Sequence, residues 1–518
     1  MIKMAKGEVQ DAGMLASLTI KRLVTDSRAV LPGDTFVAYP GEKSDGRQFI
    51  AQAIAQGANG VIYEETLSGH AREERNFEWD PQWNVPNMAV QDLRHKAGEL
   101  ADAVYGTPSE KLWMVGVTGT NGKTSCSHWI AQALNDCGKK CALIGTLGNG
   151  FAGALQATAN TTPDAISVHG LLADYLSVGA QSVAMEVSSH ALAQGRVNGV
   201  RFDVALLTNL TRDHLDYHGD MESYATAKRR LFDWKALKYA VVNLDDAFGA
   251  ELASQLRDQE VEIIGYGLTE AALQLAERYG MRMVYGHLQQ MNLQGLQLAL
   301  RSSWGAAELH SGLLGRFNAA NLLGALAVLL VSDVSLEDGV RTLGAVQSVA
   351  GRMQGMSGAG QPAVIVDYAH TPDALEKVLL ALREISMGKG ETSGRLICVF
   401  GCGGDRDKGK RAMMGRVAEK FSDVCIVTSD NPRSEDPRRI IAEVVSAMEA
   451  GKHEIIVERA AAIERAVLLA QSGDTVLLAG KGHEAYQEIN GVKQPFSDVT
   501  MAIQALKKWS ARQSGGVQ

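Results

Sequence analysis

The sequence predicts an α/β protein of three domains, each organised around a mostly parallel sheet. Three observations predict it. The chain has 518 residues, and at roughly 100–200 residues per domain three is the natural division. Short apolar segments alternate with stretches of helical period along most of the chain, as when strands are joined by crossover helices. One such segment, KLWMVGV, runs through the loop TGTNGKT into the helical SCSHWIAQALNDCG. A strand, a Gly-rich loop and a helix in that order form a phosphate-binding unit.

The elements follow in order. Residues 1–106 hold strand-like DTFVAYPG and NGVIYEE, with a helix around Gln48–Gln56 and a second helical pattern in RHKAGELADAVYG. The TPSE that follows, at 107–110, marks a boundary, because Pro and Ser interrupt the pattern. In residues 107–349 the strands are KLWMVGV, QSVAMEV, DVALLTNL and KYAVVNL, and TTPDAISVHGLLADYLSVGA is a helix between them. Residues 275–312 alternate polar and apolar over short spans, which suggests an added hairpin. The Ala- and Leu-rich GRFNAANLLGALAVLLVSDV is a helix closing the domain. A Gly-rich stretch near 350 is a second boundary. In residues 350–518 AVIVDYA, RLICVFGC, DVCIVTSD, EIIVER and DTVLLAG read as strands of another parallel sheet.

Composition narrows the function classes. Apolar residues make up 46% of the chain and charged ones 21%, with a net charge of −8. This is a folded chain without the polybasic signature of a nucleic-acid binder. The N-terminus lacks the apolar stretch of a secretory signal, and no run is long enough to span a bilayer. The six cysteines have no CxxC spacing and read as reduced thiols of a cytoplasmic protein. Cys402 lies in a Gly-rich loop without an evident partner cluster, and reads as a small residue tolerated there.

The phosphate loop runs from Gly116 through Val117, Thr118, Gly119, Thr120, Asn121, Gly122 and Lys123 to Thr124. Its glycines let the backbone approach a polyphosphate, and its N–H groups with the helix N-terminus supply a positive concavity. Lys123 can reach the outer phosphates and Thr124 can offer its hydroxyl to magnesium. The strict pattern wants glycine at position 118, where this chain has Thr118.

Seven further motifs extend the reading: MEVSSH at 185–190, TNLTRDHLDYHG at 208–219, YATAKRRLF at 224–232, DYAHTPDAL at 367–375, GCGGDRDKGKR at 401–411, DNPRSEDP at 430–437 and GKGHE at 480–484. With GVTGTNGKTS they resemble the Mur ligase family, and its diaminopimelate-adding members in particular, over nearly the whole chain. The resemblance implies a domain holding a uridine nucleotide, a central P-loop ATPase-like domain, and a C-terminal Rossmann-like domain holding the incoming amino acid. It implies a monomeric cytoplasmic ligase with three small-molecule substrates: ATP, a UDP-N-acetylmuramoyl dipeptide and meso-diaminopimelate. It adds Mg2+ as cofactor, with neither nucleic acid nor membrane insertion.

It also assigns residues. Glu186 and His214 join Thr124 as magnesium ligands; from the residues alone, Glu186 is a solvated strand-end carboxylate and His214 a loop histidine bonded to Asp213 or Asp216. Lys228 is carbamylated in the family, although beside Arg229 and Arg230 it reads as part of a basic solvated face. Thr25 and Ser27 match uridine contacts, while the loop GEKS at 41–44 departs from the histidine-containing version of some relatives. Asn160, Thr161, Thr162, Ser188, Gln194 and Arg196 match muramoyl-peptide and diphosphate contacts; an arginine suits such an anion on physical grounds. Asn318 matches the adenine side, though it or Asn321 can equally cap a helix. Arg352 matches a phosphate contact, with Gln354 where the family has glutamate. Arg406, Asp430, Asn431, Pro432, Arg433, Gly480 and Glu484 match the amino-acid site. There Arg433 offers a fork for a carboxylate, against the alternative of a surface ion pair with Glu435 or Asp436.

A nucleotide-driven switch would need only the phosphate loop and a partner surface. The second substrate site within 401–484 speaks against it. Folylpolyglutamate ligases share the central and third domains, and the first domain and DNPR set this chain apart from them.

Overall fold

The structure, a computed structural model, describes residues 20–42, 44–65, 77–158, 160–356, 358, 360–386 and 394–515. The chain forms two compact units: residues 1–266 with 271–283 and 327–335, and residues 267–270 and 284–326 with 336–518.

The first unit begins with a four-stranded parallel sheet of β1 (Leu23–Val24), β2 (Thr35–Ala38), β3 (Gly60–Glu64) and β4 (Asn87–Val90), in sequence order. The helix expected around Gln48–Gln56 is a 3-10 turn at Gly46–Phe49 running into an α-helix at Ile50–Ala55. A second helix, Leu93–Val104, buries Leu93, Ala97, Leu100 and Ala101 against Val37, Ile62 and Met88.

The same unit then builds the main sheet. Its strands are β5 (Trp113–Thr118), β6 (Cys141–Gly145), β7 (Gly148–Phe151), β8 (Ala154–Gln156), β9 (Ser182–Glu186), β10 (Val204–Leu207), β11 (Tyr239–Asn243) and β12 (Glu262–Gly267). The order is β12-β11-β10-β5-β9-β6-β7-β8, with β7 and β8 antiparallel at one edge. The four expected strands of this domain are β5, β9, β10 and β11. β5 is central because both its faces are apolar: Met114, Val115 and Val117 are fully buried. Putting β5 between β9 and β10 makes Glu186, the loop after Leu207 and the phosphate loop neighbours at the carboxyl ends of adjacent parallel strands.

The second unit holds the hairpin region, an antiparallel meander of β13 (Arg282–Asn292), β14 (Gly295–Ser302) and β15 (Gly305–Ser311). The apolar segment after it is the helix Arg316–Val331. Next comes the third sheet: β16 (Gln354–Met356), β17 (Ala363–Asp367), β18 (Leu396–Phe400), β19 (Val424–Val427), β20 (His453–Ile455) and β21 (Thr475–Ala479), ordered β16-β17-β21-β18-β19-β20 and parallel except for β16. Alternate residues fill two cores, one on each face: Ile365, Cys398, Phe400, Val427 and Leu477 in one, Val364, Val366, Ile397, Val399 and Leu478 in the other. Not anticipated was the hairpin β22 (Tyr486–Ile489) and β23 (Val492–Pro495). Among the described residues no helix is long and apolar enough to cross a membrane.

The last helix, Asp498–Gly515, is tied down by a fork: Arg459 donates through Nε and Nη2 to both oxygens of Asp498, at 2.8 and 2.7 Å, and both side chains are fully buried. Removing one partner strands a charge in the interior. Asp498→Ala is therefore expected to cost about 3–5 kcal/mol, read as a lowered midpoint in chemical denaturation; a midpoint within error of wild type would contradict this.

Candidate functional site

The strand ends of the main sheet create the site. β5 stops at Thr118, which is extended and buried, so the strict pattern's glycine is unnecessary there. Gly116 and Val117 lie inside the strand; a Cβ at Gly116 would come within 2.9 Å of the Phe202 ring, so its glycine serves packing. The loop proper starts at Gly119, whose φ of 143° and closeness to the Thr208 hydroxyl exclude a side chain. The segment after β10 braces it. Thr120 N donates to Asn209 O at 2.8 Å, Asn121 N to Asn209 Oδ1 at 3.1 Å, and Thr208 Oγ1 to Asn121 O at 2.6 Å. Gly122, at φ 92°, leads into the helix Lys123–Asp136 and offers it no side-chain cap. A helix N-terminus without a capping side chain favours an anion.

Two lysines meet at one carbonyl. Lys123 Nζ lies 2.8 Å from Gly119 O, and Lys228 Nζ, from the helix Met221–Arg229, lies 2.7 Å from the same oxygen. Lys228 is 1% exposed, so it is not part of a solvated basic face with Arg229 and Arg230. Burial, and next the charge of Lys123, pulls its pKa well below the ordinary lysine value, with Asp213 opposing.

Glu186, at the end of β9, is fully buried rather than solvated. It accepts from Thr124 Oγ1 at 2.9 Å, Thr146 N at 2.8 Å and Thr146 Oγ1 at 3.1 Å. Among the described residues no Lys, Arg or His forms an ion pair with it. A buried carboxylate bonded only by neutral donors, beside a phosphate loop, fits an oxygen-loving cation. No cluster of three His, Cys, Asp or Glu forms a ready metal cage among the described residues; magnesium, which keeps waters and substrate oxygens as ligands, needs none. His214 has a positive φ of 55° and points Nε2 toward Asp213 Oδ2 at 3.4 Å, as the residue reading expected. Its ring lies 4.9 Å from that of His190, and His218 Nε2 is 3.0 Å from Ser189 Oγ.

The peptide-side residues cluster next to Glu186. Thr162 Oγ1 donates to Glu186 O at 2.8 Å, and Ser188 N donates to Thr162 Oγ1 at 3.1 Å. Arg196 donates through Nε to Gln194 Oε1 at 2.8 Å and through Nη1 to Thr162 O at 2.8 Å, so it is anchored rather than a free surface arginine. The Thr161 and Thr146 hydroxyls are hydrogen-bonded at 3.1 Å, and Asn160 is exposed. Thr25 Oγ1 lies 3.4 Å from Asp164 Oδ1, while the buried Ser27 hydroxyl is taken by Gln52 at 3.0 Å. In the 41–44 loop Glu42 accepts from Gln194 at 2.5 Å and Tyr217 at 3.0 Å, and Lys43 lies outside the described residues.

In the second unit, Asn318 Nδ2 donates back to Leu314 O at 2.8 Å from the first turn of its helix, a bond to a carbonyl rather than a cap on a free N–H. Arg352 lies over the Tyr368 ring at 4.7 Å, and Gln354 Oε1 accepts from Gly351 N. The amino-acid residues converge at the carboxyl ends of β19 and β21. Lys481, fully buried, donates to Asn431 Oδ1 at 2.9 Å and Glu484 Oε2 at 3.1 Å, and lies 3.7 Å from Asp430 Oδ1. Asn431 Nδ2 donates to Glu484 Oε2 at 2.8 Å. Gly480 has φ 112°, and a Cβ there would meet the Asp430 carboxylate at 2.6 Å. Pro432 presses its carbonyl on Gly404, and Arg433 donates through Nη1 to Gly404 O at 2.8 Å. The expected surface pairing of Arg433 with Glu435 or Asp436 is not formed. Glu435 is bound by Arg411, which holds its carboxyl down at about 2, and Asp436 caps the next helix. Arg406 is exposed and reaches only the Asp405 carbonyl, at 3.3 Å. Burial pushes the Cys402 thiol up to about 12, which removes it as a nucleophile. Sequence reasoning did not single out Thr146 or Lys481. The second lay inside GKGHE, where a lysine between glycines after a buried strand was the available signal.

Comparison with known proteins adds to this geometry. The family model for the Mur ligase family catalytic domain matches residues 19–105, the Mur ligase middle domain residues 117–329, and the Mur ligase glutamate ligase domain residues 351–482. The UDP-N-acetylmuramoyl-L-alanyl-D-glutamate--2,6-diaminopimelate ligase of Chromobacterium violaceum is 52% identical, covering 96% of this chain and 96% of its own. The protein of the same name from Nitrosomonas europaea is 48% identical over 94% of this chain and 93% of its own. A solved structure of that name is 37% identical with a TM-score of 0.65, covering 95% of both chains. A MurF ligase from Thermotoga maritima in complex with ADP, 18% identical with a TM-score of 0.60, covers 96% of this chain and 99% of its own and shares the fold.

The strain at Gly119 is testable. Gly119→Ala forces a Cβ into a left-handed turn against Thr208, a penalty expected to weaken ATP binding about tenfold or more. Calorimetric titration with ATP, beside a thermal melt to confirm folding, reads it; unchanged affinity would show that the loop has another conformation.

Proposed function

The chain belongs to the Mur ligase family, and we infer that it is the ATP-dependent ligase joining 2,6-diaminopimelate to UDP-N-acetylmuramoyl-L-alanyl-D-glutamate in peptidoglycan precursor synthesis. The geometric observation that carries the chemistry is the uncapped phosphate loop beside the buried carboxylate of Glu186. The substrate carboxylate attacks the γ-phosphorus of ATP, ADP leaves, and an acyl phosphate forms. The amine of diaminopimelate then attacks the acyl carbon and phosphate leaves. The peptide's own carboxylate is the nucleophile, so no protein nucleophile is required.

The residue roles are proposals resting on the family and on the local physics. Lys123 and the loop N–H groups bind the β- and γ-phosphates and offset the charge of the transferring group. Thr124, Glu186 and His214 hold magnesium, which when bound neutralises phosphate charge. Asn318 serves the adenine side and Arg352 a phosphate; Thr25 and Ser27 serve the uridine nucleotide; Asn160 to Thr162, Ser188, Gln194 and Arg196 serve the muramoyl peptide. The domain division 1–106, 107–349 and 350–518 is supported by the three matched ranges. A cytoplasmic location follows from the nucleotide substrates, and a monomer suffices because one chain supplies every proposed residue.

Lys228 is proposed to be carbamylated. A neutral amine adds to carbon dioxide and releases a proton, and burial together with the charge of Lys123 shifts Lys228 toward its neutral form. The product is an anion beside Lys123, where the ammonium it replaces is disfavoured. Isotopically labelled bicarbonate should give a carbamate carbonyl resonance in the wild type that is missing in Lys228→Ala. That variant should be nearly inactive and partly restored by short carboxylates. A fully active Lys228→Ala enzyme would end the assignment.

The amino acid is proposed to be the meso isomer, its distal carboxylate read by Arg433, its other carboxylate held by Arg406, and its distal ammonium by Glu484 and the Gly480 carbonyl, within the loop Asp430, Asn431 and Pro432. Truncating one partner of a buried charge pair costs about 2–5 kcal/mol. Arg433→Ala should therefore cut the specificity constant for diaminopimelate by orders of magnitude. It should spare lysine, which has no distal carboxylate. A competition assay with the uridine-linked dipeptide and both amino acids decides it: wild-type preference for lysine would refute the substrate, and an equal loss for both in the variant would refute the role of Arg433.

A further inference from the structure

The unanticipated hairpin β22–β23 is stitched to the DNPR loop. Arg433 N donates to Glu488 O at 3.0 Å and Asn490 N to Arg433 O at 2.7 Å, forming an isolated parallel bridge between Arg433 and Ile489. Gln487 Nε2 donates to Asp430 O at 2.6 Å, and Glu488 N to Asn431 Oδ1 at 3.0 Å. Arg433 itself sits at φ 51°, a left-handed conformation that costs a residue with a side chain unless its surroundings impose it. The two backbone bonds to the hairpin impose it here.

The hairpin also reaches the side chain. Glu488 Oε2 lies 3.3 Å from Arg433 Nε, and both side chains are largely buried, 24% and 21% exposed. On the opposite side Nη1 donates to Gly404 O at 2.8 Å. The guanidinium is thus hydrogen-bonded at Nη1 and ion-paired on its Nε side, and among the described residues Nη2 takes no hydrogen-bond partner. A planar fork anchored at one corner and drawn by a carboxylate at another presents its remaining N–H groups in a restricted direction. We propose that Glu488, carried by the β22–β23 hairpin, is a positioning and specificity-determining residue that aims the Arg433 guanidinium at the distal carboxylate of the incoming amino acid. The proposal rests on the reading of Arg433 given above. Without Glu488 the fork keeps its charge and loses its aim, and the loss falls on recognition of that carboxylate.

A double-mutant cycle tests it. Glu488→Ala, Glu488→Gln, Arg433→Ala and the double variant are assayed for KM and kcat with diaminopimelate, with KM for ATP and the uridine-linked dipeptide as controls and a thermal melt for folding. Glu488→Ala is expected to raise KM for diaminopimelate about tenfold, leaving kcat and the other two KM values near wild type. Glu488→Gln keeps the size and polarity of the side chain but not the charge that pairs with Arg433, and should fall between. In the Arg433→Ala background Glu488→Ala should add nothing. If Arg433→Ala is costly while Glu488→Ala is neutral, or the two losses add, the positioning role is overturned and the reading of Arg433 stands. A loss that raises all three KM values together, or that tracks a lowered melting temperature, also overturns it by making the role structural. If Arg433→Ala leaves diaminopimelate untouched, the reading of Arg433 fails and the inference fails with it.

Discussion

Two lysine side chains donate to the single carbonyl of Gly119, and the chemistry of the first unit depends on that convergence. Lys123 comes from the helix that follows β5 and Lys228 from the last turn of the helix Met221–Arg229, and the uncapped N-terminus of Lys123–Asp136 adds a positive end of its own. Positive potential is thereby concentrated at the loop while Gly119 O supplies only a partial negative charge. The arrangement is relieved in two ways. Burial and the charge of Lys123 lower the pKa of Lys228, and the uncapped N-terminus of the helix favours an anion. The Thr208 and Asn209 bonds hold the loop in place while either happens, so the conformation does not have to be rebuilt when a phosphate arrives.

Glu186 is the counterpart of that positive centre, placed by β9 beside β5. Its partners Thr124 and Thr146 are neutral. The Thr146 hydroxyl, which donates to Glu186, also lies 3.1 Å from the Thr161 hydroxyl and can accept from it, so one hydroxyl group joins the carboxylate to the peptide-side residues. A short chain of hydrogen bonds therefore runs from the first turn of the phosphate-loop helix to the residues proposed for the nucleophilic substrate. Such a chain fixes relative position, which suits a reaction whose catalysis is mostly alignment.

What was readable in the sequence follows from the period of each element. β5, β9, β10, β11 and the five parallel strands of the third sheet announce themselves, because buried parallel strands are near-continuous apolar runs such as VAMEV and TVLLA. The hairpin β22–β23 was missed for the opposite reason. YQEI and VKQP are half-buried and exposed, with no apolar alternation to detect, and their order comes from pairing with each other and from backbone bonds to the distant Arg433. Burial of charged groups was equally hidden. Lys228 beside two arginines looks solvated and is 1% exposed, and Glu186 looks like a strand-end carboxylate in water and is enclosed. Composition cannot reveal that, since it depends on which strand lies next to which. The partner of Arg433 was unreadable too: Glu435 was near in sequence, but Arg411 claims it from a helix first turn, and Glu488 arrives with the hairpin.

Charge balance in the third sheet supplies a last physical argument for the proposed amino-acid site. Two carboxylates, Asp430 and Glu484, face one ammonium, that of Lys481, in a region where Lys481 is fully buried and the acids are 9% and 18% exposed. A buried charge is costly unless paired, so this group is one positive charge short. A substrate ammonium would complete it. Arg433 and Glu488, by contrast, are already one of each. A carboxylate arriving at Arg433 binds through N–H groups that Glu488 leaves open and does not restore a missing charge. The two ends of a diamino diacid are then treated differently: its ammonium is drawn by a charge deficit, and its carboxylate is selected by geometry. In such a site a change at Lys481 or Glu484 acts on affinity for any amine, whereas a change at Arg433 or Glu488 acts on the choice among amino acids.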